Sequence, residues 1–358
     1  LSFVQSVQHR LSSLDLVKSK RRCHWIKIYA CFAGDRNRDR MSNRAEISSS
    51  TASRFLATSD MACPPELLEL AASSSPKPFG FVRAIGEATL ETARAAAMAK
   101  LAVPILIGEA DIIAKDAAAI GWDLDGIEII PAEGEDGAIA AAIALFGEGR
   151  VAGIAKGQLH TDVFMGGLVK RAAGIRNGKR LVHLFVMLPP AGGRPLIISD
   201  AAVNVAPDIE TRVEAALYMA EMSRRLAQPR PRIAVLSATE SILPGIPSSV
   251  EAAEIALRAG AIDAKADFAG PLSFDLAVSP KAVAMKCVEG PVAGVADGLV
   301  VPDIVSGNIL FKSIVWFGGG LAAGLVLGGA IPIILTSRSD PPAARLASLA
   351  LAAIYMKS

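Results

Sequence analysis

The sequence predicts an α/β protein organised around a parallel sheet, and three observations carry that prediction. Apolar residues make up 52% of the 358 residues but aromatic ones only 5%, so the core must come from Ala, Val, Ile and Leu, the mix found where helices cover a parallel sheet. From Pro64 onward, short strand-like runs alternate with Ala-rich helical runs, the pattern of successive βαβ units. Helix starts are also signed: Ser248 with Glu251 fits the S-x-x-E capping box, and Ser279 before Pro280 pairs a cap with proline at the first helical position. A chain of this length accommodates two ordinary domains and a large core.

In order, strands are read at residues 79–83, 103–107, 127–130 and 151–155, with helices at 89–101, 111–120 and 136–146 between them. A second set of strands follows at 182–188, 196–198, 233–236, 266–268 and 298–301, separated by helices at 209–226, 250–258 and 280–286. No long Pro-, Gly- or Ser-rich linker divides the sets, so they are expected to share a cleft. The division is read as a first α/β domain at 62–185 plus 327–358 and a second at 186–326. Residues 1–60 are rich in Ser, carry 11 Lys and Arg against 5 Asp and Glu, and show no sustained period; they are read as a disordered N-terminal extension.

The remaining chain carries 26 basic and 30 acidic residues, so no basic surface for nucleic acid is expected. Cys23, Cys31, Cys63 and Cys287 form no close CxxC pair, and His9, His24, His160 and His183 form no HExxH or paired motif. Neither a disulfide framework nor a metal site is assigned.

The stretch 307–340, GNILFKSIVWFGGGLAAGLVLGGAIPIILTSRSD, runs uncharged from Ser313 to Ser337 and is long enough for a membrane helix, which needs about 20 apolar residues. Six glycines and Pro332 argue against a span. It is read instead as a Gly-rich helix ending near Gly329, followed by a short buried strand at 331–336. GGGLAAG at 318–324 is a poor dinucleotide fingerprint, since it follows no strand and opens no helix; close helix–sheet packing accounts for it.

Open α/β sheets bind ligands beyond the carboxyl ends of strands, and five motifs sit there or at helix starts. In KGQLHTD, 156–162, Lys156, Gly157 and Thr161 can present an ammonium and backbone N–H groups to an anion, or form a plain loop capped by Thr161. In SDAAVNVAPD, 199–208, Asp200 and Asn204 interrupt an apolar run and need partners if buried; they line a cleft or satisfy a turn, with Asp208 capping the next helix. AGPLSFD, 269–275, offers a Gly-Pro tight turn at Pro271 and a carboxylate, Asp275, near the mouth of the sheet. GNILFKS, 307–313, puts Asn308 and Lys312 one helical turn apart on one face. In TSRSDPP, 336–342, which begins at Thr336, Ser337 is a donor and Arg338 a fork matched to phosphate. Asp340 is either a proton acceptor or a cap before Pro341 for a helix at 341–355.

In this order across roughly residues 80–358, these motifs resemble the phosphate acetyltransferase and phosphate butyryltransferase family, PIILTSRSD most of all. The resemblance implies a two-domain α/β fold related to isocitrate and isopropylmalate dehydrogenases, an interdomain active-site cleft, and a cytoplasmic homodimer that does not enter the membrane. It implies reversible transfer of a short acyl group, acetyl or butyryl, between coenzyme A and inorganic phosphate. Acyl-CoA, phosphate and acyl phosphate are then the partners, with no cofactor, metal or covalent acyl-enzyme. On that resemblance Arg338 holds phosphate, Ser337 donates to it or to the developing charge, and Asp340 is the candidate base, although acetyltransferases often carry that aspartate further beyond Ser-Arg. They also usually place an arginine six positions after the Thr of the His-Thr pair, where this chain has Gly167. That inclines the chain toward the butyryltransferase branch and leaves Lys156, Arg176 or Arg180 as the second phosphate ligand. An oxidoreductase of the related decarboxylating-dehydrogenase fold and an inactive CoA- or phosphate-binding module stay open beside it.

Overall fold

The alternation read from the sequence is realised in three dimensions, with antiparallel pairings in the middle of the sheet. The structure is a computed structural model and describes residues 55–57, 61–73, 75–176, 178–335 and 340–357. The first half runs α1 (Pro65–Ala72), β1 (Lys77–Val82), α2 (Glu87–Met98), β2 (Ala102–Gly108), α3 (Ala110–Ala119), β3 (Glu128–Pro131), α4 (Gly134–Gly147), β4 (Gly153–Lys156) and α5 (Thr161–Leu168). β5 (Val182–Leu188) and β6 (Leu196–Ser199) follow without a helix between them. The chain continues as α6 (Ile209–Arg225), β7 (Arg232–Leu236), α7 (Pro247–Ile262), β8 (Asp267–Leu272), α8 (Phe274–Val278), α9 (Pro280–Lys286) and β9 (Gly298–Val300), and ends with α10 (Ile304–Gly318), β10 (Leu321–Leu327), β11 (Ile333–Ile334) and α11 (Pro342–Tyr355).

The strands form one 11-stranded sheet in the order β3-β2-β1-β4-β11-β10-β5-β6-β9-β7-β8. Pairing is parallel from β3 to β11 and from β6 to β8. It is antiparallel where β10 meets β11 and β5, and where β5 meets β6. The sheet is therefore two parallel blocks of opposite direction, joined through β10 and β5, which pair from Leu321↔Leu188 to Leu327↔Val182.

One face of this sheet is covered continuously: Phe79 and Phe81 of β1, the alternate residues Val182, Leu184 and Val186 of β5, and the buried sides of α2, α6, α7 and α11 form a single apolar cluster. The other face is covered in two patches. Val82, Ile107 and Ile154 pack with α4 and α5, whereas Met187, Ile198 and Leu299 pack with α8, α9 and α10. Each fully buried Leu, Ile or Phe contributes about 1.5–3 kcal/mol, so each patch holds its own half of this face, and a seam lies between them.

Several local expectations change. The apolar run after Asn308 is not one helix to Gly329: α10 ends at Gly318, Gly319 caps it in the left-handed region (φ 66°), and residues 321–327 are strand. A strand buried on both faces shows no alternation, so its sequence is indistinguishable from that of a buried helix. The following strand is the short pair Ile333–Ile334 rather than 331–336. The capping box at Ser248 is not formed, because α7 starts at Pro247 with Ile246 in the cap position; Glu251 pairs instead with Arg212 (2.5 Å). Gly270 and Pro271 lie inside β8, not in a turn, on an edge strand where proline is tolerated. The caps at Asp208 and Ser279 are formed, accepting from Thr211 N (2.8 Å) and Ala282 N (3.2 Å). Among the described residues no helix is long and apolar enough to cross a membrane. The expected disorder of 1–60 falls almost wholly outside the described residues; within it, Ala57 N donates to Trp316 O (2.8 Å).

The turn from β10 to β11 depends on Gly328, at φ +93°, where an added Cβ would run into the Arg180 carbonyl. Gly328→Ala is expected to destabilise the fold by about 3 kcal/mol or more. Gly121→Ala, at φ +65° with nothing within 4 Å, should cost only about 1 kcal/mol. Urea unfolding followed by circular dichroism distinguishes the two; equal losses would show that backbone conformation alone, not the close approach, sets the cost.

Candidate active site

The seam opens as a cleft of about 1420 Å³. Its lining comes from the sheet (His183 and Phe185 of β5, Ala322 of β10), from the turn after β4, from α10, and from Leu335 with residues 340–344. Of the residues singled out in the sequence, Lys156, Thr161, Asn308, Lys312 and Asp340 line it together. Gly157 lines a smaller pocket beside Lys156. Asp200, Asn204, Pro271 and Asp275 are not among the lining residues, nor are Arg176 and Arg180; Arg180 pairs with Asp208 (3.0 Å). Thr336, Ser337 and Arg338 lie outside the described residues.

Lys156 ends β4 at 7% exposure, and its Nζ donates to Leu159 O (2.9 Å) and Gly157 O (3.3 Å). A Cβ at residue 157 would come within 2.5 Å of Arg83 O and 2.6 Å of Val82 O, so glycine lets the turn pack against the end of β1. Helix α5 then begins at Thr161 with His160, not Thr161, in the cap position. His160 Nδ1 lies 2.8 Å from Glu135 Oε1, Glu135 lies 3.6 Å from Arg83, and Arg83 lies 3.1 Å from Glu109. Burial opposes ionisation of Glu135, but hydrogen bonds from His160 and the Arg83 charge outweigh it and hold the carboxyl below its usual range.

Asp200 takes the structural alternative. At 3% exposure it accepts from His183 N (3.1 Å), Ala202 N (2.9 Å), Val203 N (2.9 Å) and Asn204 Nδ2 (2.6 Å). Asn204 also donates to Leu181 O (2.8 Å), so the pair ties the start of β5 to the turn after β6. Asp275 is exposed near the end of the edge strand β8, hydrogen-bonded to Ser273 (2.6 Å) and 3.8 Å from Lys286. Asp340 is not the cap of α11: Pro341 holds that position and Pro342 starts the helix.

Sequence reasoning missed His183. It is 0% exposed, and neither ring nitrogen has a hydrogen-bond partner among the described residues. Its ring lies 4.2 Å from Phe185, which stacks on Phe311 at 4.0 Å. Gly324 makes room for it, since a Cβ there would sit 2.9 Å from His183 Nε2. Burial pushes its pKa down from 6.5 to about 4, against the opposing pull of the Asp200 charge. A neutral imidazole offers the cleft one donor and one acceptor. The available signal was a lone histidine in VHLFVML, on the face that alternation shares with Phe185. Among the described residues no three His, Cys, Asp or Glu side chains gather as a metal ligand set.

The family model described as phosphate acetyl/butaryl transferase matches residues 135–353. The chain belongs to that family. It is 40% identical over 271 residues to a phosphate acetyltransferase of Rhizobium meliloti, covering 75% of this chain and 85% of that one. It is 30% identical over 269 residues to a phosphate butyryltransferase of Clostridium acetobutylicum, covering 75% and 89%. Among solved structures, a branched-chain phosphotransacylase from Enterococcus faecalis V583 superposes with a TM-score of 0.68 at 30% identity, covering 78% of this chain and 98% of that one. Family membership agrees with the resemblance that the ordered motifs carry.

His183 gives a pH signature. Between pH 6.5 and about 4 the unfolded chain binds a proton on this histidine that the folded chain does not, so its contribution is neutral above 6.5 and stability falls as pH drops through that window. The slope is about 1.4 kcal/mol per pH unit, roughly 2 kcal/mol by pH 5. Urea unfolding at pH 7 and pH 5 should show His183→Gln losing less than wild type by about that amount; equal losses would place the acid sensitivity elsewhere.

Proposed function

We propose that the protein catalyses reversible transfer of a short acyl group between coenzyme A and inorganic phosphate in this cleft. The observation that supports the reading is the convergence of Lys156, Thr161, Asn308, Lys312 and Asp340, from separate parts of a chain of this family, on one cleft. In one direction a phosphate oxygen attacks the thioester carbonyl carbon, the carbon–sulfur bond breaks, and the departing thiolate takes up a proton. In the other, the thiol gives its proton to a base, the thiolate attacks the carbonyl carbon of the acyl phosphate, and the carbon–oxygen bond breaks to release phosphate. Such a step needs alignment, a proton acceptor and cations for the phosphate charge.

Asp340 is the carboxylate at the cleft suited to take the thiol proton. Thr336, Ser337 and Arg338 are assigned to phosphate on sequence grounds. Asn308 and Lys312, on α10, hold polar parts of coenzyme A, and the apolar surface of Phe185, Phe311 and Ala322 receives the acyl group. Residues 62–185 with 327–358 and residues 186–326 are read as the domains that flank the cleft. We read the protein as a cytoplasmic homodimer with coenzyme A and phosphate as substrates. The dimer is supported by α10, on which Val305, Ile309 and Trp316 are exposed by 61%, 62% and 58%, an apolar face of the kind that marks interaction sites.

A thiol-release assay with acetyl-, propionyl- and butyryl-CoA is expected to give phosphate-dependent release with at least one of them; no release with any would overturn the reading. Arg338→Ala should lower kcat/KM by about 100-fold or more, and a folded variant at wild-type rate would remove Arg338 from the site. Asp340→Asn should lower kcat by about 100- to 10,000-fold. Because Pro341 occupies the cap of α11, loss of a helix cap plays no part in this variant; a lowered thermal midpoint with unchanged kcat would make Asp340 structural.

A further inference from the structure

His183 lines the cleft from β5, on the strand face it shares with Phe185. It is fully buried, and both ring nitrogens lack a hydrogen-bond partner among the described residues. Native proteins retain few buried polar groups in that state, because the lost contact with water goes uncompensated. Asp200 is near but does not serve the ring: its carboxylate accepts from the His183 backbone N–H (3.1 Å), from Ala202 N and Val203 N (2.9 Å each) and from Asn204 Nδ2 (2.6 Å). The neighbouring strand β10 makes room for the imidazole with a glycine, since a Cβ on residue 324 would lie 2.9 Å from His183 Nε2 and 3.0 Å from its Cε1. A core position is thus held by a ring whose polar edge meets no group of the folded chain.

The surroundings specify what that edge would meet. Phe185 lies 4.2 Å from the imidazole and stacks on Phe311 at 4.0 Å. Phe185, Phe311, Val315 and Ala322 belong to one apolar cluster and also line the cleft, so the ring is a single polar group beside an apolar floor. The charge of Asp200 acts on the ring, which disfavours an anionic ligand there. An uncharged acceptor attached to a short hydrocarbon chain fits both features, and the carbonyl of an acyl group is such an acceptor.

We infer that His183 donates its ring N–H to the carbonyl oxygen of the transferred acyl group, an assignment that rests on the acyl-transfer reading above. That oxygen is common to the thioester and the acyl phosphate, so one donor serves both directions. No proton leaves the ring: the N–H remains a donor while the carbon–sulfur bond breaks and the carbon–oxygen bond forms, and it opposes the charge that develops on the carbonyl oxygen. Phe185 and Phe311 keep water from the contact, which strengthens it. Gly324 acts through His183 as a positioning residue.

The chain has four histidines, so histidine-selective 15N labelling of the full chain gives few ring signals, with His183 identified by the one absent from His183→Gln. Titration of the wild type with acetyl-CoA or butyryl-CoA in phosphate-free buffer should move the His183 N–H signal, whereas coenzyme A, which lacks the acyl carbonyl, should leave it in place. In steady-state assays His183→Leu should lower kcat/KM for acetyl-, propionyl- and butyryl-CoA alike by about 10- to 100-fold. The KM for phosphate should stay within about twofold, and His183→Gln, which keeps a donor, should recover part of the loss. A His183 signal that ignores both acyl-CoAs, or responds equally to coenzyme A, overturns the assignment. So does a folded His183→Leu within twofold of the wild-type kcat/KM. If the wild type releases no thiol with any acyl-CoA, the acyl-transfer reading falls; a His183 signal that still answers acyl-CoA and not coenzyme A would uphold the contact, and a silent one would overturn it too.

Discussion

The antiparallel pairing of β5 with β10 is the constraint on which the rest of the structure depends. Parallel strands are joined by crossover helices that cover the sheet, and each parallel block brings its own. Where β5 and β10 reverse the strand direction, the helices of the two blocks no longer meet on one face: α4 and α5 serve one block, α8 to α10 the other. The opposite face has no such break, because α11 and α6 share one continuous apolar cluster there. The result is a sheet with a solid back and a seam in front. A cleft at that seam needs no excavation of the core; it is what the topology leaves uncovered.

Keeping the seam open falls to a few residues whose chemistry is local. The four hydrogen bonds accepted by Asp200 lock the turn after β6 to the backbone of β5 at His183. Gly324 removes a side chain where the imidazole must lie, and Gly157 does the same where the turn at Lys156 approaches β1. The polar groups that look most catalytic in the sequence thus divide. Asp200 and Asn204 hold the walls, and the residues facing the space are fewer and more apolar than the motifs suggest.

Most of the α/β pattern was legible because the helices are amphipathic or capped and the outer strands are short and bounded by turn residues. β5 and α9 come out with the expected ends, 182–188 and 280–286, and α6 differs by one residue at its end. The strand reversal was not legible, since an apolar strand buried on both faces reads alike in either direction and even resembles a helix, as residues 321–327 did. Of the residues that line the cleft, some on turns and helix faces were legible: Lys156, Thr161, Asn308, Lys312 and Asp340. His183, which lines the cleft, and Arg345, which lines the smaller pocket, were not, because each is a single polar side chain in an apolar element, and only the tertiary structure shows that neither the buried ring nor the buried guanidinium Nε has a partner among the described residues.

Lys312, Lys156 and Arg345, all among the described residues, differ in what they can do for an anion. Lys312 is exposed on α10; its charge is screened by water and salt, and such contacts contribute roughly 0–1 kcal/mol. A contact of that kind steers a charged ligand more than it grips it. Lys156 is buried but turned toward the carbonyls of its own turn, so part of its hydrogen-bonding capacity holds that turn. Arg345 is buried with no acidic neighbour in its pocket, where low dielectric strengthens any contact it makes. The cations thus grade from screened to desolvated, and a desolvated one holds a small anion more tightly than a screened one does.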